Sequence, residues 1–186
     1  GTNSTSSMIV IFIYNNELHF NTYNVAVSTH TISNMNHWNH YSIVYNKLEN
    51  KLLSAIKIYV NGINQNLLGI PNGPSIIKAS GNIYIAQDYA SQISHWYNFE
   101  GQLKKMKIWN SIRTQTQILQ SFNNNDTYLN YIYNIPVDNL QLYIPMNSSD
   151  NTIYYNNTNF TLEFWFKIIN DKLGNQYIFN QGSYLN

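Results

Sequence analysis

The sequence predicts an all-β protein, a two-sheet antiparallel jelly-roll sandwich with one short helix. Three observations carry that expectation. Short apolar or alternating runs rich in Ile, Tyr, Phe, Val and Thr recur along the 186 residues, and those are strand-forming residues. Asn, the commonest residue, clusters between the runs, where its tolerance of left-handed backbone suits turns. Only one stretch has helical spacing.

The elements follow in order. Ser7–Tyr14 is a continuous apolar run, as in a strand covered on both faces. Asn15-Asn16 then makes a two-residue turn into Glu17–Phe20, which completes a hairpin. Residues 24–32 alternate, and His37–Tyr45 reads as a central strand. Ala55–Val60 ends in Asn61-Gly62, the strongest short hairpin signal in the chain, and Ile63–Leu68 is its expected return. Ile70–Pro74 breaks the pattern before the strand Ile83–Gln87. A loop with aromatics, Asp88–Asn98, leads into Phe99–Trp109. The helix is expected after Ser111, read as its cap, with Ile112, Ile118 and Leu119 on one side and its end near Phe122. A polar and aromatic connector runs to Asn139. Leu140–Pro145 is a further strand. Phe160–Lys167 alternates cleanly, with Leu162, Phe164 and Phe166 on one face and Thr161, Glu163, Trp165 and Lys167 on the other.

Composition excludes several functions. A net charge of +1 and a single arginine, Arg113, lack the basic footprint of a nucleic-acid binder. Zero Cys excludes disulfides, cysteine-ligated zinc and thiol catalysis. The longest apolar run is too short to span a bilayer and no stretch reads as a secretory leader, so membrane insertion is not expected. The sequons at Asn3, Asn125, Asn147, Asn156 and Asn159 are candidate glycosylation sites, discounted because so Asn-rich a chain generates them by chance.

Candidate chemistry is sparse. Glycoside cleavage needs two carboxylates roughly 5–9.5 Å apart, yet no strand carries two acidic residues at even spacing. Glu163 is expected to be solvated or paired with Lys105 or Lys107, and no catalytic residue is assigned. His37 and His40, three apart, would fall on opposite faces of one strand, which argues against a two-His metal site. Sugars could stack on aromatic faces beside amides and carboxylates. Asp88, Tyr89, His95, Trp96 and Tyr97 in the aromatic loop, with Trp165 on the face opposite the core, are the glycan-binding candidates.

Trp38-x-x-Tyr-Ser-Ile-Val-Tyr45, Ile58-Tyr-Val-Asn-Gly62, Ile83-Tyr-Ile-Ala86, Phe99-x-Gly101 and Met106-x-Ile-Trp109 occur in an order that resembles the second part of a laminin-G-like or pentraxin-like domain, of the concanavalin A-like jelly-roll class. Leu140–Ile144, Phe160-Thr-x-Glu-x-Trp165 and Tyr177–Gly182 resemble strands that normally come first. Residues 1–139 thus look like the second part of the domain, and residues 140–186 like the opening strands of the same permuted domain or of a following repeat. The resemblance implies a non-enzymatic extracellular structural or adhesive module, one unit of a repetitive surface or fibre protein at a cell or virion surface. Its partners would be copies of itself or neighbouring repeats. The alternative is a carbohydrate-binding lectin module. Pentraxin-like domains carry part of a calcium site where Gln87 and Asp88 stand, which makes these two calcium candidates, but the accompanying acidic cluster is missing. No other cofactor is expected.

Overall fold

The computed structural model describes residues 8–22, 25–49, 52–69, 83–85, 99–123, 140–144, 159–169 and 176–182. Twelve strands among them form two six-stranded antiparallel sheets. Sheet A runs β7-β3-β2-β1-β12-β8 and sheet B runs β10-β9-β11-β4-β5-β6. In chain order they are β1 (Met8–Tyr14), β2 (Glu17–Thr22), β3 (Val25–Thr29), β4 (Asn39–Tyr45), β5 (Ile56–Val60), β6 (Ile63–Asn64), β7 (Leu67–Gly69), β8 (Ile83–Ile85), β9 (Gly101–Trp109), β10 (Leu140–Ile144), β11 (Phe160–Ile168) and β12 (Gln176–Gly182). A single helical turn, α1 (Leu52–Ala55), precedes β5, and the expected helix is α2 (Gln115–Asn123).

Local chemistry sets the turns. Asn15 and Asn16 both have positive φ (49° and 59°), the signature of a type I′ turn, whose twist matches the flanking strands. Asn61 and Gly62 repeat it at φ 52° and 79° between β5 and β6. The expected return strand, Ile63–Leu68, is instead split between the sheets. The Gln65 amide still donates to the Ile58 carbonyl (2.8 Å), after which the chain leaves β5 and pairs β7 with β3 of sheet A. The strand read from His37 begins only at Asn39, because Asn34 (φ 62°) turns the chain and its carbonyl accepts the His37 amide. His37 is left exposed.

The inner faces supply the core. Ile9, Ile11 and Ile13 of β1 and Leu18 and Phe20 of β2 meet Tyr41, Ile43 and Tyr45 of β4 and Phe160, Leu162, Phe164 and Phe166 of β11. Each such side chain contributes about 1.5–3 kcal/mol when fully buried. Tyr41 stacks on Phe166 at 4.0 Å between ring centroids, and Phe20 bridges the sheets to Phe160 at 6.5 Å. The late strands occupy interior positions: β11 lies between β9 and β4, and β12 between β1 and β8.

The second face of β11 is covered too. α2 lies over sheet B, with Ile118 buried against Val44 and Tyr59. Its cap is Thr114 rather than Ser111. The Gln117 amide donates to Thr114 Oγ1 (3.3 Å), and the Thr114 amide donates to Gln117 Oε1 (2.8 Å), a reciprocal capping box. Ser111 instead offers its carbonyl to the Thr161 hydroxyl at 2.8 Å. Ile112 and Leu119, expected on the packed side, are about two-fifths exposed. The buried side is Ile118 and Ser121, with Phe122 half-buried.

Candidate functional site

A polar cluster fills the space between α2 and sheet B. Strand alternation points Thr161, Glu163 and Trp165 of β11 away from the core, and registry sets Ser42 of β4 and Lys107 of β9 opposite Glu163. Lys104 and Lys107, three apart, reach this same face because β9 bulges between them. The extra residue is Lys105, held at φ 53°, and the pairing resumes with Lys104 opposite Trp165. Lys105 is therefore not the expected cross-strand partner of Glu163. Lys107 is.

Glu163 is fully buried, and its Oε1 accepts from Arg113 Nη1. The same guanidinium holds the helix: Nη1 also donates to Ser121 Oγ (2.8 Å) and Nη2 to the Gln117 carbonyl (3.0 Å). Its backbone amide donates to Thr161 Oγ1 (3.1 Å), and its planar head lies 4.3 Å from the Trp109 ring centroid. Arg113 thus fastens α2 to β11 and β9 at once.

His40 of β4 completes the cluster, with Nε2 3.7 Å from Glu163 Oε2. That separation is an electrostatic approach and not a hydrogen bond. Neither imidazole nitrogen has a hydrogen-bond partner among the described residues. Burial pushes the His40 pKa down, only partly offset by Glu163, so the ring is neutral at neutral pH. Burial alone would raise the Glu163 carboxyl. His40, Arg113 and Lys107 outweigh it and hold that carboxyl below the usual carboxylate range. Because His40 is neutral there, we assign the dominant attraction to Arg113. Burial also pulls Lys107 down to about 8 against the opposing attraction of Glu163.

Beside the cluster opens a cleft of about 340 Å³. Buried Val44, Ala55 and Tyr59 line it, as do Asn46, Glu49, Ser54 and Lys57 around α1. Ile112, Arg113, Thr114 and Gln115 form its other side, so Arg113 belongs to both the cluster and the cleft. Amides, hydroxyls and an aromatic ring suit a small polar ligand with one apolar face. No sequence signal joined these residues, which come from three separate stretches.

The sequence-derived candidates fare differently. Trp165 is 3% exposed, stacked on Phe122 (5.7 Å) and near His40 (5.2 Å), with Lys104 Nζ 5.2 Å from its ring centroid. The expectation of an open Trp165 face is overturned, since α2 covers it. Glu163 is likewise neither solvated nor free. His40 is buried and His37 exposed outside the strand, and no group of three metal-ligating side chains occurs among the described residues. Gln87, Asp88, Tyr89, His95, Trp96 and Tyr97 lie outside the described residues, as do the sequons at Asn3, Asn125, Asn147 and Asn156. Asn159 is described, and its Oδ1 accepts from the Lys47 amide at 3.0 Å. No helix among the described residues is long and apolar enough to cross a membrane.

A family model described as the concanavalin A-like lectin/glucanases superfamily, of laminin-G type, matches residues 3–119. No curated protein and no solved structure gives a significant match.

Proposed function

The chain belongs to the concanavalin A-like lectin/glucanase superfamily, and from that premise we propose that it is a non-enzymatic extracellular module of adhesion, one unit of a larger repetitive surface or fibre protein. The observation that carries the non-enzymatic part is the state of Glu163. It is the only carboxylate of β11, and it is buried beneath α2 in an ion pair with Arg113. A carboxylate so held has no access to a glycosidic oxygen and no second acid beside it among the described residues.

An open sheet edge supports association between modules, because an edge strand can take a neighbour's strand by main-chain hydrogen bonding. Among the described residues sheet B ends at the two-residue β6, where Ile63 is 65% exposed and Leu119 packs against Gly62. Sedimentation velocity across a wide concentration range tests this reading. Reversible self-association that Ile63→Glu abolishes, with the circular dichroism spectrum unchanged, is the expected result. A monomer at every concentration would contradict it.

The cleft favours a second reading, a lectin that takes a small saccharide between α1 and the start of α2. Asn46, Ser54, Thr114 and Gln115 would bond hydroxyls, and Tyr59 and Ile112 would meet the apolar ring face. A glycan array with and without calcium tests it: binding that Asn46→Ala and Gln115→Ala abolish while the circular dichroism spectrum is unchanged is expected, and binding unaffected by both would contradict it. Trp165→Ala is unsuitable, because removing a buried indole damages the fold itself.

A further inference from the structure

We propose that α2 is an acid-released flap: the cluster of Glu163, Arg113 and His40 holds it on sheet B near neutral pH and frees it on acidification, baring Trp165 and removing one side of the cleft. The helix has little else to hold it. Ile118 is its only fully buried apolar side chain, whereas Leu119 and the preceding Ile112 are about two-fifths exposed. Phe122 adds its stack on Trp165. At the helix start Gln115 Nε2 donates to the Gly62 carbonyl (3.3 Å) and Leu119 packs against Gly62, while the anchorage onto the centre of sheet B passes through Arg113, which ties Ser121 and Gln117 to Glu163.

The charge balance beneath the helix is poised. Glu163 from β11 faces Arg113 from the α2 approach, Lys107 from β9 and His40 from β4, with Lys104 of β9 beyond at Trp165. Tyr59 of β5 also faces the helix, Lys57 of β5 and Glu49 ahead of α1 face the cleft beside Arg113, and α2 itself carries no ionisable side chain. One carboxylate therefore serves the permanent cation of Arg113 and the largely protonated Lys107 at neutral pH. A proton on His40 adds a third positive charge, and a proton on Glu163 removes the one buried carboxylate beneath the helix among the described residues. Either event leaves buried positive charge without a counter-ion, which water can relieve only by entering beneath α2.

This device holds whatever the cleft or the module binds. Burial disfavours charged His40, so acidification strains the cluster before the carboxylates of the surface titrate. The segment concerned, residues 111–123, includes the Ile112–Gln115 side of the cleft.

The test is amide hydrogen exchange by mass spectrometry on the intact chain at pH 7.5, 6.5 and 5.5, corrected for intrinsic rates. Protection over residues 115–123 is expected to fall by up to about tenfold towards pH 5.5, the limit for one His titrating from an open-state value of 6.5, while β4 and β11 remain protected. Glu163→Gln is expected to show the loosened helix already at pH 7.5, and His40→Gln is expected to flatten the response between 7.5 and 5.5. Helix protection that does not change relative to β4, or that is lost only together with β4 and β11, would overturn the proposal. So would an unaltered acid response in folded His40→Gln. If neither variant folds, the wild-type profile alone decides.

Discussion

Arg113 and Glu163 form a buried ion pair, and such pairs are asymmetric in their effects: breaking one half strands a charge, whereas replacing both halves need not. Arg113→Met alone is expected to cost about 3–5 kcal/mol by denaturant unfolding. Arg113→Met with Glu163→Leu should recover most of that loss. A loss in the double variant equal to the sum of the Arg113→Met and Glu163→Leu losses would show that the pair is not coupled. The pH dependence follows from the same groups. His40 titrates lower folded than unfolded, so stability is lost as pH falls below 6.5 and the unfolded chain takes up a proton the folded one resists. Glu163, also held low, adds stability above its unfolded value of 4.5 and loses it as pH falls through the folded value. Lys107, pulled down to about 8, makes the fold gain stability as pH rises from about 8 towards 10.5. Urea midpoints at pH 5, 7 and 9 should therefore rise in that order, and a maximum at pH 5 would contradict the assignment. At this scale the sequence shows that Glu163 and Trp165 share a face and that Lys107 suits Glu163. It cannot show Arg113, which arrives from another element, nor which face of a strand a helix will cover. The open Trp165 face failed for that reason.

At the scale of elements, the hairpins were legible because Asn15-Asn16 and Asn61-Gly62 adopt the positive φ their chemistry favours. The capping box is written in the sequence as Thr114-x-x-Gln117, but Ser111 offers a competing cap three residues earlier. Thr114→Ala should therefore destabilise the protein by about 1 kcal/mol, whereas Ser111→Ala should do much less, since its carbonyl, not its hydroxyl, meets Thr161. Thermal unfolding of the two variants separates them, and a larger loss for Ser111→Ala would refute the cap. Gly62→Ala combines φ 79° with a Cβ only 2.6 Å from Leu119 Cδ1, and should cost about 1–2 kcal/mol. A neutral effect would mean that the turn is not left-handed. The sheet switch after Gln65 and the bulge at Lys105 leave no trace in alternation, because each displaces the pattern by a residue or two within runs that still look continuous.

For the whole molecule, two-face burial of β1 and the alternation of β11 were enough to read a sandwich, because period-two patterning survives any strand order. Strand order itself is a matter of pairing between distant segments, and the sequence supplied it only through resemblance. The last strands fill interior slots of both sheets, β12 against β1 with Val10 opposite Asn180, and β11 against β4 with Leu162 opposite Ile43. The chain has no cysteine, so an introduced pair reports without interference. Val10→Cys combined with Asn180→Cys, oxidised at low concentration and read by mass spectrometry, tests that placement most directly. A single intrachain disulfide is expected, as facing strand positions permit. Two free thiols in a folded, oxidised sample would contradict it.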